Sequence, residues 1–119
     1  MYDKNKGFEY ERIAQSYLHD CGYKVLEMNF SCRMGEIDIV AEKNGRIHFI
    51  EVKGRQDTAH GYPREAVTVH KQRRIITAAR YYLMLLGQDD ISCQFDVIEI
   101  IADSRKINHL ENAFDASLK

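Results

Sequence analysis

The sequence predicts one α/β domain in which a mixed sheet of about five strands is flanked by helices, in the order α-β-β-β-α-β-(β). Three observations predict this class: two long stretches of helical periodicity, several apolar stretches of strand length, and an Asn44-Gly45 pair between two of those stretches. A chain of 119 residues can bury one hydrophobic core but not two. We therefore expect residues 1–119 to form a single domain.

The first helix should run from Lys4 to Cys21, because Ile13, Ala14, Tyr17, Leu18 and Cys21 fall on one face. Gly22 is a suitable residue for its end. Three strands are then expected, at Tyr23–Phe30, Glu36–Lys43 and Arg46–Lys53.

Asn44-Gly45 predicts a tight hairpin between the second and third strands, since both central positions of a type I′ turn need positive φ. With a two-residue loop, Lys43 faces Arg46, and further along the same ladder Asp38 faces Glu51. Lys53 points from the same face as Glu51, because side chains alternate along a strand. The hairpin thus predicts two carboxylates and an amine close together in a sheet.

The second half of the chain continues with a polar loop, a long helix and one or two strands. These elements are expected at Gly54–Pro63, Val69–Leu86, Ile91–Ile101 and, as a short fifth strand, Ile107–Leu110. Thr68 is the expected N-cap of the helix and Gly87 its stop. Because this helix separates the third and fourth strands, those two can pair in parallel.

Composition excludes several classes of protein. The net charge is -1, so general electrostatic attraction to nucleic acid is not indicated, and any such role must depend on a local patch. The N-terminus lacks an apolar signal core and the longest apolar run, Tyr81–Leu86, is too short to cross a bilayer, so we expect a cytoplasmic protein with no membrane contact. The 3 cysteines have no metal-ligand spacing and are expected to be reduced packing residues.

The predicted pair of carboxylates suggests a metal site. Like charges that face each other across a ladder repel, and hard oxygen ligands at such a distance suit Mg²⁺ or Mn²⁺. A bound ion would polarise a phosphoryl oxygen and lower the pKa of a bound water, and Lys53 would activate that water or stabilise developing charge. The alternative is a half-exposed ladder of charged residues, although Ile47 and Phe49 share the face of Glu51 and argue against a fully wet surface.

Ile37-Asp38 followed by Glu51-Val52-Lys53 resembles the motif of the PD-(D/E)xK nuclease superfamily, although the usual proline before the aspartate is absent. A wider set of residues, in order along nearly the whole chain, resembles the YraN-like family of small bacterial proteins. The set comprises Gly7, Glu11, Ala14, Tyr17-Leu18, Gly22-Tyr23, Arg33, Gly35–Asp38, Phe49–Lys53, Arg55, Glu65–Thr68, Lys71–Arg74 and Phe95–Val97. This family is grouped by similarity with Holliday-junction resolvases of the restriction-endonuclease-like fold.

The resemblance implies a metal site built on Asp38 and Glu51, with the Val52 carbonyl as an additional ligand. In the resolvase-like relatives a glutamate of the first helix joins the site, and Glu11 matches it, as a ligand directly or through water. Helical geometry puts Glu11 at the edge of the buried face. The alternative is that Glu11 is a solvated boundary residue.

Gln72 shares a face of the second helix with apolar residues, so its amide is expected to point toward the sheet and to need partners there. The carboxylates or a metal-bound water are one set of partners. The other is nearby backbone at the start of the helix.

Candidate nucleic-acid contacts come from the same helix and from the ends of the carboxylate strands. Lys71, Arg73 and Arg74 lie in a window without acidic residues, which suits either phosphate contacts or a solvated helix face. Arg33 and Arg55 flank the carboxylate strands and are expected to position a phosphodiester. Asp96 is expected to be structural.

The leading hypothesis is a divalent-metal-dependent endonuclease acting on DNA, including branched DNA, with Asp38, Glu51, Lys53, Glu11 and Gln72 at its active site. The second hypothesis is a nucleic-acid-binding protein of the same fold with little or no cleavage. A third is an interaction protein whose charged ladder serves a partner subunit. Resolvases act as symmetric dimers, and the sequence leaves a homodimer open.

Overall fold

A computed structural model describes residues 4–56, 67–88 and 90–116, with side chains described from Phe8 onward. It contains two helices and five strands: α1 (Lys4–Asp20), β1 (Lys24–Cys32), β2 (Gly35–Lys43), β3 (Arg46–Arg55), α2 (Val69–Leu86), β4 (Cys93–Ile101) and β5 (Lys106–Phe114). The expected α/β class and the order of elements are confirmed. Neither described helix combines the length and apolar character that a bilayer crossing demands.

The five strands form one sheet in the order β1-β2-β3-β4-β5. β3 and β4 pair in parallel, and the other neighbouring strands pair antiparallel, so the sheet is mixed as expected. Parallel pairing is possible because α2 lies between β3 and β4 in the chain. The connection through α2 returns the chain to the end of the sheet at which β3 begins, so that β4 runs in the same direction.

The β2–β3 hairpin has the predicted two-residue turn. Asn44 and Gly45 both have positive φ, at 54° and 78°, as a type I′ turn requires. Lys43 faces Arg46, and the ladder continues regularly to the pair Ile39 and Ile50. The predicted register is therefore correct up to the residues that adjoin Asp38 and Glu51.

A helix packs on each face of the sheet. On one face α2 buries Ile75, Ile76 and other apolar residues against a cluster that includes Phe49 and Phe95. On the other, α1 buries Ala14 and Leu18 against a cluster of aliphatic residues from β2, β3 and β4. Burial of each leucine, isoleucine or phenylalanine side chain in these clusters stabilises the fold by about 1.5–3 kcal/mol.

Several predicted boundaries and faces need correction. Gly54 and Arg55 belong to β3, not to a loop, because they continue the parallel ladder with Ile100 and Ile101. The rest of that predicted loop, with Pro63, and the motif residues Glu65-Ala66 lie outside the described residues. α1 ends at Asp20, one residue earlier than expected.

The expected buried face of α1 was too wide. Ile13 and Cys21 are exposed, whereas Ala14 and Leu18 are fully buried. The other two cysteines, Cys32 and Cys93, are reduced and pack against the α2-side cluster. The expectation of packing cysteines therefore holds for two of the three.

The fifth strand is longer than Ile107–Leu110 and covers nine residues. Polar residues interrupt the apolar pattern of this strand, so part of its sequence resembles that of a loop. Two of these polar residues bond to buried acids of β4: the Asn108 amide donates to Glu99 at 3.0 Å and the His109 ring bonds Asp96 at 2.8 Å. Their pairing with β4 thus satisfies buried carboxylates that sequence periodicity does not reveal.

Candidate active site

Asp38 and Glu51 meet where the β2–β3 ladder ends. Beyond Ile39 and Ile50 the backbone pairing stops, and the Asp38 carboxylate accepts the backbone N–H of Val52 at 2.8 Å. Glu51 is only 5% exposed, and its carboxyl group shares a hydrogen bond with that of Asp38. The two predicted carboxylates are therefore adjacent and in direct contact, with Glu51 buried and Asp38 partly buried.

Their proximity changes the protonation of the pair. Burial, followed by the negative charge of Glu51, raises the pKa of Asp38 to about 8, against the opposing effect of the Val52 N–H. Asp38 thus keeps a proton at neutral pH, because two carboxylates in hydrogen-bond contact cannot both ionise cheaply without a cation. At neutral pH the pair consists of one protonated carboxyl group and one carboxylate.

Two ammonium groups converge on the same oxygen of Glu51. Lys53 Nζ lies 3.8 Å from Glu51 Oε2, and Lys71 Nζ contacts that oxygen more closely. Burial and then the neighbouring Lys71 charge lower the pKa of Lys53. For Lys71, burial opposes the charged form most, but the hydrogen bond and charge of Glu51 raise its pKa overall.

Lys71 was expected among the exposed phosphate contacts, and the structure instead brings it to the carboxylates. The sequence offered no signal for this contact, because it depends on how α2 sits against β3, far apart in the chain. The spacing of residues along α2 does not indicate how close Lys71 lies to Glu51 on β3.

Two glycines let the helices approach the site. A Cβ on Gly35 would lie 2.9 Å from the backbone carbonyl oxygen of Arg74, one turn along α2 from Lys71. A Cβ on Gly54 would lie 2.0 Å from the ring of Tyr10, the residue before Glu11. Close contact at Gly35 and Gly54 therefore positions Lys71 and Glu11.

Glu11 reaches the site from α1, on the opposite face of the sheet. Its half-buried carboxyl bonds the side chain of Asn29 and feels the charges of Glu36 and Glu51. Burial first, and then those two acids, raise its pKa, while the bond to Asn29 acts in the opposite direction. Glu11 in turn helps to raise the pKa of Asp38, so it belongs to the same electrostatic cluster.

Glu11 nevertheless stands back from the carboxylate pair. Among the described residues, ligand atoms of three His, Cys, Asp or Glu side chains lie within 4.8 Å of one another at His48, Asp96 and Glu111 and nowhere else. Glu11, Asp38 and Glu51 therefore do not form such a group of three.

The Val52 peptide is oriented toward the same opening. Its N–H points to Asp38 on β2, and in an extended strand the carbonyl of a residue points to the same side as its N–H. The Val52 carbonyl thus faces the gap where β2 and β3 separate.

Gln72 bonds to nearby backbone. Its Nε2 donates to the carbonyl oxygen of Val67 at 2.8 Å, which secures the start of α2. This is the second of the two sets of partners considered for it, and the structure records no bond from Gln72 to the carboxylates within the described residues.

The predicted arginines divide into two groups. Arg33, Arg73 and Arg74 are exposed, the first in the β1–β2 turn and the others on α2. Arg55 is mostly buried, and its Nε bonds Glu99 Oε2 at 2.6 Å, an ion pair within the sheet. A groove of about 400 Å³ between α2 and the start of β2 is lined by Glu36, His70, Lys71 and Arg74, among others.

Asp96 is the centre of a separate buried network on the α1 side of the sheet. One of its oxygens bonds the rings of His48 at 2.7 Å and His109 at 2.8 Å, and the other accepts from Gln94 at 2.9 Å and the Asn112 N–H at 3.1 Å. Both oxygens are thus occupied, which agrees with the structural role expected for Asp96 rather than with metal binding.

The fold and site define a protein with a mixed α/β sheet and a centre of buried carboxylates and lysines at the open end of its middle strands. The chain belongs to a known family: residues 10–100 match the model of "Uncharacterised protein family UPF0102". The expected resemblance to the YraN-like family is thereby confirmed.

Full-length relatives carry the same family name. A UPF0102 protein of Clostridium perfringens (strain 13 / Type A) is 49% identical, with 95% of this chain and 96% of the relative covered. A UPF0102 protein of Lachnoclostridium phytofermentans is 44% identical with 98% of each chain covered, and one of Persephonella marina is 43% identical with 97% of each covered.

Proposed function

We propose that this protein is a divalent-metal-dependent endonuclease that hydrolyses phosphodiesters of DNA, with branched DNA such as a four-way junction as the preferred substrate. One observation carries the proposal: the carboxyl groups of Asp38 and Glu51 lie in hydrogen-bond contact beside two lysines, at the end of a groove with positive side chains. A buried site in which acids must stay protonated is one that a cation would stabilise.

The donor set fits Mg²⁺ or Mn²⁺. Asp38 and Glu51 supply hard carboxylate oxygens, and the Val52 carbonyl faces the same gap. Glu11 would contribute through water, because its ligand atoms and those of the pair do not all lie within 4.8 Å of one another. No thiolate or imidazole group is part of this set, which argues against zinc. When bound, the ion would polarise a phosphoryl oxygen and make a bound water more acidic.

Lys53 supplies the remaining chemistry. Its ammonium lies beside Glu51, and its lowered pKa brings the neutral amine closer to neutral pH. In the neutral form Lys53 would accept the proton of the attacking water, and in the charged form it would stabilise the negative charge that develops on the phosphate.

The groove beside the site suits a sugar-phosphate backbone. Arg74 and His70 line it, Lys71 joins it to the carboxylates, and the exposed Arg73 and Arg33 lie on the neighbouring elements. Because the net charge is only -1, this local patch fits weak or shape-selective binding better than tight binding to any duplex. A four-way junction has two equivalent scissile strands, so a symmetric homodimer is the matching assembly.

A second candidate is a nucleic-acid-binding protein that does not cleave. The contact of Lys71 with Glu51 favours it, because an ammonium group already neutralises the carboxylate that a metal would need. Under this alternative the same groove binds the backbone but the carboxylates only support the fold.

The deciding experiment is a cleavage assay on labelled four-way junction, flap, linear duplex and single-stranded DNA, each with Mg²⁺, Mn²⁺ or EDTA. Lys53→Ala and Glu51→Gln are the test variants, and Lys24→Ala, an exposed lysine on β1, is the matched control. We expect metal-dependent cleavage, greatest on the junction, that both test variants lose and the control keeps.

Binding without cleavage on all four substrates, from protein with a folded circular dichroism spectrum, would favour the second candidate. If the protein neither binds nor cleaves any of these substrates, the remaining hypothesis is an interaction protein. Binding to a partner protein that survives Glu51→Gln and Lys53→Ala would support that hypothesis.

A further inference from the structure

We propose that Lys71 is a substrate-binding residue that exchanges partners: it neutralises Glu51 in the cation-free protein and contacts a backbone phosphate once a divalent cation is bound. The inference deepens the proposed function and rests on it. It gives a role to a lysine that the motif Asp38, Glu51 and Lys53 does not include.

Two lysines and the proposed cation compete for one oxygen of Glu51. Lys71 Nζ and Lys53 Nζ both approach Glu51 Oε2, and Glu51 is 5% exposed. Two ammonium groups and a divalent cation cannot share one carboxylate oxygen without strong repulsion, since unit charges a few ångströms apart interact by several kcal/mol at a protein surface. Cation binding at this oxygen therefore requires one lysine to leave.

Lys71, rather than Lys53, is the lysine placed to leave Glu51. The Lys71 side chain is 44% exposed and the Lys53 side chain 27%, and Lys71 stands on the first turn of α2 with the groove beside it. Lys53 projects from the sheet on the same strand as Glu51, two residues away. Lys71 is thus the lysine with a route away from the carboxylates.

A displaced Lys71 side chain can move into the groove beside α2. Arg74, His70 and the acid Glu36 line the groove that Lys71 also lines, so a displaced ammonium has two basic side chains beside it that suit phosphate. The same displacement exposes Glu51 to the cation and adds a positive charge to the groove. Metal binding and DNA binding should consequently reinforce each other through Lys71.

The test begins with titration calorimetry of Mn²⁺ into wild-type protein, Lys71→Met and Arg74→Met. Arg74→Met is the matched control, because it removes one positive charge from the same groove without touching Glu51. We expect Lys71→Met to bind Mn²⁺ about 10-fold more tightly than wild type, and Arg74→Met to stay within about 2-fold. Circular dichroism of each variant checks that the fold is intact.

The second measurement is fluorescence anisotropy with labelled four-way junction DNA, in Ca²⁺ and in EDTA. Lys71→Met should weaken binding several-fold in Ca²⁺ and leave it unchanged in EDTA, where wild-type Lys71 is held by Glu51. Arg74→Met should weaken binding equally in both conditions.

The outcomes separate the two proposals. If wild type binds Mn²⁺ and Lys71→Met binds it equally or more weakly, the exchange is wrong while the metal-dependent function stands. If neither protein binds Mn²⁺, both proposals fail. Binding of Mn²⁺ by Lys71→Met alone would support the exchange, and a loss of DNA affinity that is the same in Ca²⁺ and EDTA would contradict it.

Discussion

The Asp38 carboxylate accepts the backbone N–H of Val52 at 2.8 Å, at the point where the β2–β3 ladder ends. The side chain thus takes the place of a backbone carbonyl of β2, so the N–H remains satisfied although the strands separate. At this opening the carboxyl groups of Asp38 and Glu51 meet, and the charge of Glu11 on α1 acts on Asp38 from farther away.

This bond leads to a prediction for Asp38→Asn, which keeps an oxygen for the Val52 N–H but removes the ionisable group. The folded-state pKa of Asp38 is raised to about 8, well above its value in an unfolded chain, about 3.9. Between these values the folded wild type binds more protons than the unfolded chain, so its stability falls as pH rises. We expect the variant to become more stable than wild type across this interval, by about 1–3 kcal/mol at pH 8.5.

Urea unfolding at pH 4.5, 6.5 and 8.5 in EDTA measures the difference. Glu36→Gln, which removes an exposed acid from the same strand, is the control. A difference between Asp38→Asn and wild type that stays constant over the three pH values would contradict the assigned protonation. Added Mn²⁺ should raise the melting temperature of wild type and not of Asp38→Asn.

The sequence predicts one part of the site well and another part not at all. Asn44-Gly45 fixes the turn, the turn fixes the register, and the register brings Asp38 to Glu51, so a local signal was sufficient for the pair. Lys71 and the network around Asp96 depend on the packing of elements that are distant in the chain. Periodicity reports which face of an element is buried, but not which residue it meets there.

A second prediction concerns Gly54, over which the ring of Tyr10 lies. A methyl group there would overlap the ring at 2.0 Å, so Gly54→Ala must move α1 away from β3. We expect a loss of about 1–3 kcal/mol in the free energy of unfolding. In a Tyr10→Ala background the same substitution should cost less than about 0.5 kcal/mol, because the obstacle is gone.

A double-mutant cycle by urea denaturation measures this coupling. If Gly54→Ala lowered the free energy of unfolding equally in the two backgrounds, the need for glycine would come from the strand and not from the Tyr10 ring.

A third prediction concerns Asp96→Asn in the buried network. Burial alone would raise the pKa of Asp96, but hydrogen bonds from His109, His48 and Gln94 together hold it well below its usual range. A group with a lowered folded-state pKa stabilises the fold above its unfolded pKa, about 3.9, and loses that contribution as pH falls through the folded value. We therefore expect the variant to lose about 3–5 kcal/mol at neutral pH.

Chemical denaturation at pH 7, 5 and 3 tests this loss, which should be similar at the first two values and begin to shrink at the third. Asp103→Asn, whose exposed carboxylate accepts a hydrogen bond from Gln56, is the control and should stay within about 0.5 kcal/mol of wild type. If Asp96→Asn lost about 3–5 kcal/mol of stability at pH 3 but not at pH 7, the expected pH dependence would be wrong.

The last prediction concerns the start of α2, which carries Lys71. Thr68 is the N-cap, and its hydroxyl oxygen accepts the backbone N–H of Lys71 at 3.1 Å. Thr68→Ala leaves that N–H without its partner and should cost about 1 kcal/mol. Thr77→Ala, in the middle of the same helix, is the matched control, because the Thr77 hydroxyl donates to the Arg73 carbonyl and alanine is the better helix former. We expect the control to be neutral or slightly stabilising in thermal unfolding, and equal losses in both variants would show that the cap does not secure Lys71.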